Sequence, residues 1–151
     1  MLTQIIISIF RVNTHLLEKG NELVAPLGMT SSCWKVLGAI ALCDQPPTCR
    51  QIVEYMGITR QGAQKQLNIA LKVGLIESLP NPHHERSPLY ALTKLGRDNY
   101  EEAMKLQETW ANSLVQNIIL KDLQTTVDVL CNLDKNLQSI VLPQMGDHCK
   151  C

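Results

Sequence analysis

The chain has 151 residues, 45% of them apolar, which is enough for one globular domain with a substantial core. Its formal net charge is zero, which argues against a protein that coats nucleic acid without regard to sequence. Residues 48–97 nevertheless carry seven cations against three acids, leaving +4 in this segment and −4 in the remainder. Such a basic middle fits a DNA-binding module within an acidic body, although an imbalance of this size also arises by chance.

Six cysteines are present, at positions 33, 43, 49, 131, 149 and 151. The apolar stretch from Leu2 to Phe10 lacks the basic leader and the cleavage site of a signal peptide, and it is too short to span a bilayer. We therefore expect a cytoplasmic protein with reduced thiols, no disulfide framework and no membrane partner.

The first helix is predicted from Leu2 to about Val24, because apolar residues recur at helical spacing until Pro26 and Gly28 interrupt the pattern. Its apolar surface is wide for a terminal helix. Two interpretations stay open, namely burial against a second subunit and packing within one chain. A second helix is predicted after Thr30 or Ser31, either of which can cap it. Its apolar face consists of Trp34, Leu37, Ile40 and Ala41.

A helix-turn-helix is predicted after the turn at residues 44–47. A short helix from Thr48 to about Met56 ends at Gly57, and Thr59 can cap a second helix that runs to Lys72. Residues at helical spacing are expected to face a shared small core: Ile52, Val53, Ile58, Ala63, Leu67, Ala70 and Leu71.

The opposite face of this second helix carries long hydrogen-bonding side chains and no acid. Its members are Arg60, Gln61, Gln64, Lys65 and Asn68. Arginine and lysine can contact phosphates or guanine, and glutamine and asparagine can pair with adenine edges. A solvated helix face usually mixes both charge signs, so this face indicates nucleic-acid binding. An ordinary exposed face is the alternative.

Two short strands are predicted at Leu75–Leu79 and Leu89–Leu92, joined by a polar loop that carries Arg86. Strands in this position make the module a winged helix, and an arginine on a projecting wing can enter a minor groove.

Two further helices are predicted. The first begins at Thr93, and the second runs from about Asp122 until Pro143 and Gly146 end it. The apolar residues expected on the first are Leu95, Ala103, Leu106, Trp110, Leu114 and Ile118. Those on the second are Leu123, Val127, Leu130, Leu133, Leu137, Ile140 and Val141. Together with the first helix they offer more apolar surface than one small domain needs, which favours a dimer.

Short motifs from Gly28 to Gly96 occur in an order that resembles the MarR family of bacterial transcriptional regulators. They are Trp34-Lys35-Val36-Leu37, Gly57-Ile58-Thr59-Arg60-Gln61, Gly74-Leu75-Ile76, Asn81-Pro82-His83-His84-Glu85-Arg86 and Leu92-Thr93-Lys94-Leu95-Gly96. The resemblance implies a mainly α fold with a small β-wing, in which a winged helix-turn-helix (about residues 30–96) is flanked by dimerisation helices (about 1–25 and 97–143). We expect one domain over residues 1–146 and a flexible tail at 147–151.

The resemblance also implies a homodimer that binds a near-palindromic DNA operator, as a repressor whose affinity a small molecule or an oxidant weakens. The residues expected at the DNA are Thr59, Arg60, Gln61, Gln64, Lys65, Asn68, His84 and Arg86. His84 stands where many members have an acid that can hold the wing arginine by a salt bridge. A neutral imidazole offers only a hydrogen bond, so the anchoring of Arg86 is an open question.

An effector pocket is expected where the dimerisation helices meet the winged helix, lined by His15, Leu16, Trp34 and Leu37. The alternative is that these side chains simply pack. Cys33 and Cys49 are candidates for redox sensing, because the partial positive charge at a helix start lowers a thiol pKa. Ordinary core cysteines are the alternative, and Cys43 and Cys131 are expected in the core.

No catalytic constellation is apparent, and no cofactor or metal is expected. His148, Cys149 and Cys151 are of ligand type, but a disordered tail is the preferred interpretation. A winged helix can also serve as a protein–protein module that binds no DNA. The polar helix face argues against this, because a protein-binding surface shows exposed aromatic and apolar anchors.

Overall fold

A computed structural model describes residues 1–140, whose elements are mostly α-helices, with one two-stranded sheet among them. The elements are α1 (Leu2–Val24), a 3-10 turn (Ala25–Leu27), α2 (Ser31–Ala41), α3 (Cys49–Met56), α4 (Arg60–Lys72), β1 (Ile76–Leu79), β2 (Leu89–Leu92), α5 (Lys94–Leu114) and α6 (Leu120–Ser139). The chain divides into two compact units, Met1–Trp110 and the segment that starts at Ala111. The mainly helical fold class with a two-stranded wing is therefore confirmed.

Threonines begin the helices of the winged-helix region, as their sequence positions predict. The hydroxyl of Thr30 accepts a hydrogen bond from the Cys33 amide, and that of Thr59 accepts one from the Gly62 amide. Thr48 forms a reciprocal capping box with Gln51. These bonds satisfy amides that have no partner within the helix, so each helix starts at a defined residue.

Gly57 turns the chain between α3 and α4. Its φ of 60° lies in the left-handed region, which a residue with a Cβ adopts only at a cost. Gly57 therefore ends α3 and changes the direction of the backbone before α4 begins.

The core of the first unit lies between α2, α3, α4 and the sheet. Its largest fully buried side chains include Leu37, Ile52 and Leu67, one from each of the three helices. Full burial of a leucine or isoleucine contributes about 1.5–3 kcal/mol. The core therefore fixes which face of α4 points outward.

The wing is an antiparallel hairpin in which Ile76 pairs with Leu92 and Leu79 with Leu89. Its first strand begins at Ile76, one residue later than expected, while Leu75 is buried in the core. The turn before α3 extends the sheet, because the Tyr90 amide donates to the Pro47 carbonyl at 2.9 Å. The wing is thus attached to the helix-turn-helix through the turn before α3.

Several predictions about the last two helices are wrong in detail. Helix α5 ends at Leu114, so Ile118 is not on it, and Leu95 is exposed while the adjacent Gly96 is buried. Cys131 is exposed because no residue of α6 is buried in the single chain, whereas Cys43 is half-buried. Val141, Pro143, Gly146 and the tail lie outside the described residues.

Exposed apolar side chains are concentrated on α1 and α6. Those on α1 are Leu2, Ile6, Ile7, Ile9, Phe10, Val12 and Leu16, and those on α6 include Leu120, Val127, Val129, Leu130 and Leu137. No single helix in residues 1–140 has the length and hydropathy to cross a bilayer, although the bent pair of Leu2–Leu27 and Ser31–Ala41 meets those criteria jointly.

Candidate nucleic-acid interface and ligand cavity

Helix α4 presents to solvent the polar face that its sequence predicts. Ala63, Leu67 and Ala70 are fully buried, so the helix cannot rotate about its axis without exposing them. The outward side chains border one concave surface: Arg60, Gln61, Gln64, Lys65, Asn68 and Ile69. Two cations and no acid on this surface make it attractive to an anionic backbone.

The two amides nearest the middle of this face are joined to each other. Nε2 of Gln64 donates to Oδ1 of Asn68 at 3.0 Å. The bond leaves the Gln64 oxygen as an acceptor and the Asn68 nitrogen as a donor. An acceptor and a donor held side by side match the N6 and N7 groups of adenine in the major groove.

Ile69 belongs to the same face, although it was not among the residues predicted to contact DNA. Its side chain is 42% exposed and borders the same concave surface as the polar residues. Its position four residues after Lys65 was a usable signal, because residues at that spacing share a helix face. An apolar side chain in this place can contact a thymine methyl group.

The two cysteines at helix starts do not have the lowered pKa that their positions predict. Burial raises the pKa of the Cys33 thiol. Burial also raises the pKa of the Cys49 thiol, and the nearby Arg60 charge opposes that rise only in part. The prediction is wrong because desolvation of the thiolate outweighs the partial charge at the helix start.

The wing loop lies between β1 and β2, and its tip is open to solvent. Arg86 and His84 are both exposed. Within residues 1–140 neither side chain makes a hydrogen bond or an ion pair, so His84 does not hold Arg86. The loop is instead closed by Asn81, whose side chain donates to the Ser87 carbonyl at 2.8 Å.

A cavity of about 350 Å³ opens between α1, α2 and α5 within the first unit. It is lined by Asn13, Leu16, Leu17, Ser31, Trp34, Lys35, Gly38, Leu42, Met56, Tyr100, Met104, Gln107 and Trp110. Leu16 and Trp34, two of the four residues expected at an effector pocket, line this cavity. His15 and Leu37 do not, since His15 is exposed on α1 and Leu37 is fully buried in the core.

The wall of this cavity is mostly apolar and aromatic, with one charged side chain. Among the described residues that line it, only Lys35 carries a formal charge. Ser31 is a polar residue at its base, where the hydroxyl donates to the Leu17 carbonyl of α1 at 2.9 Å. An apolar cleft with a few placed polar groups is the usual form of a small-molecule site.

No group of three or more metal-ligating side chains occurs within residues 1–140. His148, Cys149 and Cys151 lie outside the described residues. Among the described residues, neither the outward face of α4 nor the cavity pairs a nucleophile with a base.

Comparisons with known proteins agree with this interpretation. The sequence profile described as MarR family matches residues 27–87. An uncharacterised protein of Mycobacterium tuberculosis is 30% identical over 129 residues, which cover 85% of this chain and 89% of the relative.

Among solved structures, Staphylococcus aureus MarR in complex with salicylate and kanamycin superposes with a TM-score of 0.79 at 20% identity, covering 92% of this chain and 93% of that one. A mutant of E. coli MarR complexed with operator DNA gives a TM-score of 0.71 at 24% identity, covering 88% and 98%. From the profile, the relative and the shared fold, the chain belongs to the MarR family of winged helix-turn-helix transcriptional regulators, which bind DNA and are not enzymes.

Proposed function

We propose that this regulator is a repressor that binds a near-palindromic operator as a homodimer and that a small apolar anion weakens its binding. The observation that carries the proposal is the acid-free outward face of α4, held by a buried opposite face and flanked by a wing that bears Arg86. The E. coli relative in complex with operator DNA supports it. A protein with this role acts at the chromosome, so we place it in the cytoplasm.

The outward residues of α4 are proposed to contact bases and phosphates in the major groove. Arg60 is at the N-terminus of α4, where helix-turn-helix proteins contact base edges. Gln61, Gln64, Lys65 and Asn68 follow along the same face, and Thr59 precedes it. Arg86 and His84 on the wing are proposed to contact the adjacent backbone or minor groove.

Dimerisation is supported by the apolar residues that the single chain leaves exposed on α1 and α6. Phe10 is 68% exposed and Leu137 is 73% exposed. Many large apolar side chains exposed along one helix indicate an interface. Two copies would place two α4 helices on one duplex, with half-sites about 10 base pairs apart.

Replacing Arg60 by alanine should reduce sequence preference more than overall affinity for DNA. We expect a loss of about 10- to 100-fold on the preferred duplex, since a bidentate arginine–guanine contact is worth about 1–3 kcal/mol. Binding to a random duplex should change less than about threefold. The duplex is obtained by selection from a random pool, and affinities are measured by fluorescence anisotropy at fixed salt.

Lys105→Ala is the matched control, because Lys105 is an exposed cation on α5 away from the α4 face. It should leave both affinities unchanged. If Arg60→Ala lost equal affinity for the preferred and the random duplex, Arg60 would contact only phosphates and would not read a base.

Small apolar anions are the proposed effectors, because the cavity is aromatic and has Lys35 as its charged residue among those described. The S. aureus relative in complex with salicylate supports this class. Lys35→Met should weaken salicylate binding about three- to tenfold, since a partly solvated ion pair contributes about 1 kcal/mol. Calorimetry measures the change, and the neutral analogue salicylamide should bind both proteins equally.

Lys19→Met serves as the control, because Lys19 is exposed on α1 and does not line the cavity. An unchanged salicylate affinity in Lys35→Met would show that Lys35 does not contact the carboxylate of salicylate. Salicylate should also release the selected duplex from the wild-type protein in the anisotropy titration.

A further inference from the structure

We infer that Asn81 positions the wing arginine and so supports DNA binding through Arg86 without itself touching DNA. The inference rests on the proposed role of Arg86 as a DNA contact. In the described chain the side chain of His84, two residues before Arg86, makes no bond to Arg86. Asn81 therefore takes the place of His84 in fixing the wing loop.

The side chain of Asn81 joins the two arms of the wing loop. Its Nδ2 donates to the Ser87 carbonyl at 2.8 Å, and its Oδ1 accepts from the His83 amide at 3.0 Å. Asn81 is half-buried, whereas every residue from 82 to 86 is exposed. The bond to Ser87 acts on the residue next to Arg86, so it fixes the backbone from which the guanidinium projects.

Two backbone bonds complete the loop. The His84 amide donates to the Asn81 carbonyl at 3.2 Å, and the Ser87 amide donates to the His84 carbonyl at 2.9 Å. Both bonds close short turns. Among the hydrogen bonds of the described residues, only that of the Asn81 side chain joins position 81 directly to the chain beyond Arg86. Without it the exposed loop gains conformational freedom that DNA binding must then remove.

Asn81 is therefore a positioning residue, and a double-mutant cycle with Arg86 tests that role. We expect Arg86→Ala to weaken binding to the selected duplex about tenfold and to reduce the salt dependence by about one phosphate contact. Asn81→Ala should weaken binding about fivefold. In the double variant the loss should stay within about twofold of Arg86→Ala alone, because Asn81 has nothing left to position.

Asn81→Ser isolates the bond that closes the loop. A serine hydroxyl can still accept from the His83 amide but is too short to reach the Ser87 carbonyl. It should therefore behave like Asn81→Ala. All titrations are made at a temperature where circular dichroism shows each variant to be folded.

The outcomes separate the inference from the proposed function. Wild-type affinity in Arg86→Ala would overturn the DNA role of Arg86 and the positioning role with it. A weakened Arg86→Ala together with an unchanged Asn81→Ala would overturn only the positioning role. So would a fivefold effect of Asn81→Ala that persists in the Arg86→Ala background, because it would show that Asn81 acts independently.

Discussion

Replacement of Gly96 by alanine is expected to destabilise the protein by about 3 kcal/mol or more, the upper end of the range for overpacking. A Cβ at this position would overlap the carbonyl oxygen of Leu75 and lie 2.8 Å from its carbonyl carbon. Both are backbone atoms, so no side-chain rotation relieves the overlap. Urea denaturation followed by circular dichroism measures the loss.

The backbone that the new methyl group would meet is held firmly. The Thr93 amide donates to the Leu75 carbonyl at 3.1 Å, and the Thr93 hydroxyl donates to the Gly74 carbonyl at 2.6 Å. The same hydroxyl accepts from the Gly96 amide at 3.1 Å. Relief of the overlap would move the start of α5 away from Gly74 and Leu75, and these bonds would break.

Gly38→Ala is the matched control for Gly96→Ala. Gly38 is also a helical glycine, but a Cβ there would lie 3.5 Å from the Tyr100 ring, which is ordinary contact. This variant should be stabilised by about 0.5–1 kcal/mol, because alanine is favoured over glycine inside a helix. Equal stability of the two variants would refute the close approach at Gly96.

Replacement of Phe10 by aspartate is expected to produce a monomer and to weaken operator binding at least about 100-fold. In a two-fold interface each substitution acts twice, so two unpaired charges would enter an apolar contact. Operator affinity falls because the two winged helices are no longer linked and must bind their half-sites separately. Light scattering after size exclusion gives the mass, and anisotropy gives the affinity.

Gln45→Asp adds the same charge to the exposed turn after α2 and should preserve both the dimer and the affinity. A wild-type protein that runs as a monomer at micromolar concentration would refute the proposed dimer outright. A dimeric Phe10→Asp protein would show that α1 does not form the contact at this residue.

The order and type of the elements were predictable because their signals are local. Thr48 and Thr59 cap helices through bonds to amides three residues away, and Gly57 turns the chain by its own backbone conformation. The outward face of α4 was predictable from the spacing of Ala63 and Leu67. Residues four apart lie on the same side of a helix, so their burial determines which residues face solvent.

The lining of the cavity was predicted only in part. Trp34 and Leu37 were placed there together, yet the structure separates them, because Leu37 packs into the core while Trp34 and Lys35 line the opening. Which side of α2 meets the core and which meets α5 depends on how the helices pack, and apolar spacing alone does not distinguish the two.

By itself the sequence determined the winged helix-turn-helix, its helix boundaries within one or two residues and the polar face of α4. Only the tertiary structure decided that burial raises the pKa of Cys33, that Gly96 touches the Leu75 backbone and that Asn81 closes the wing. Capping, turns and periodicity act over a few residues of chain. Desolvation, close approach and loop closure depend on which distant or non-adjacent groups the fold brings together.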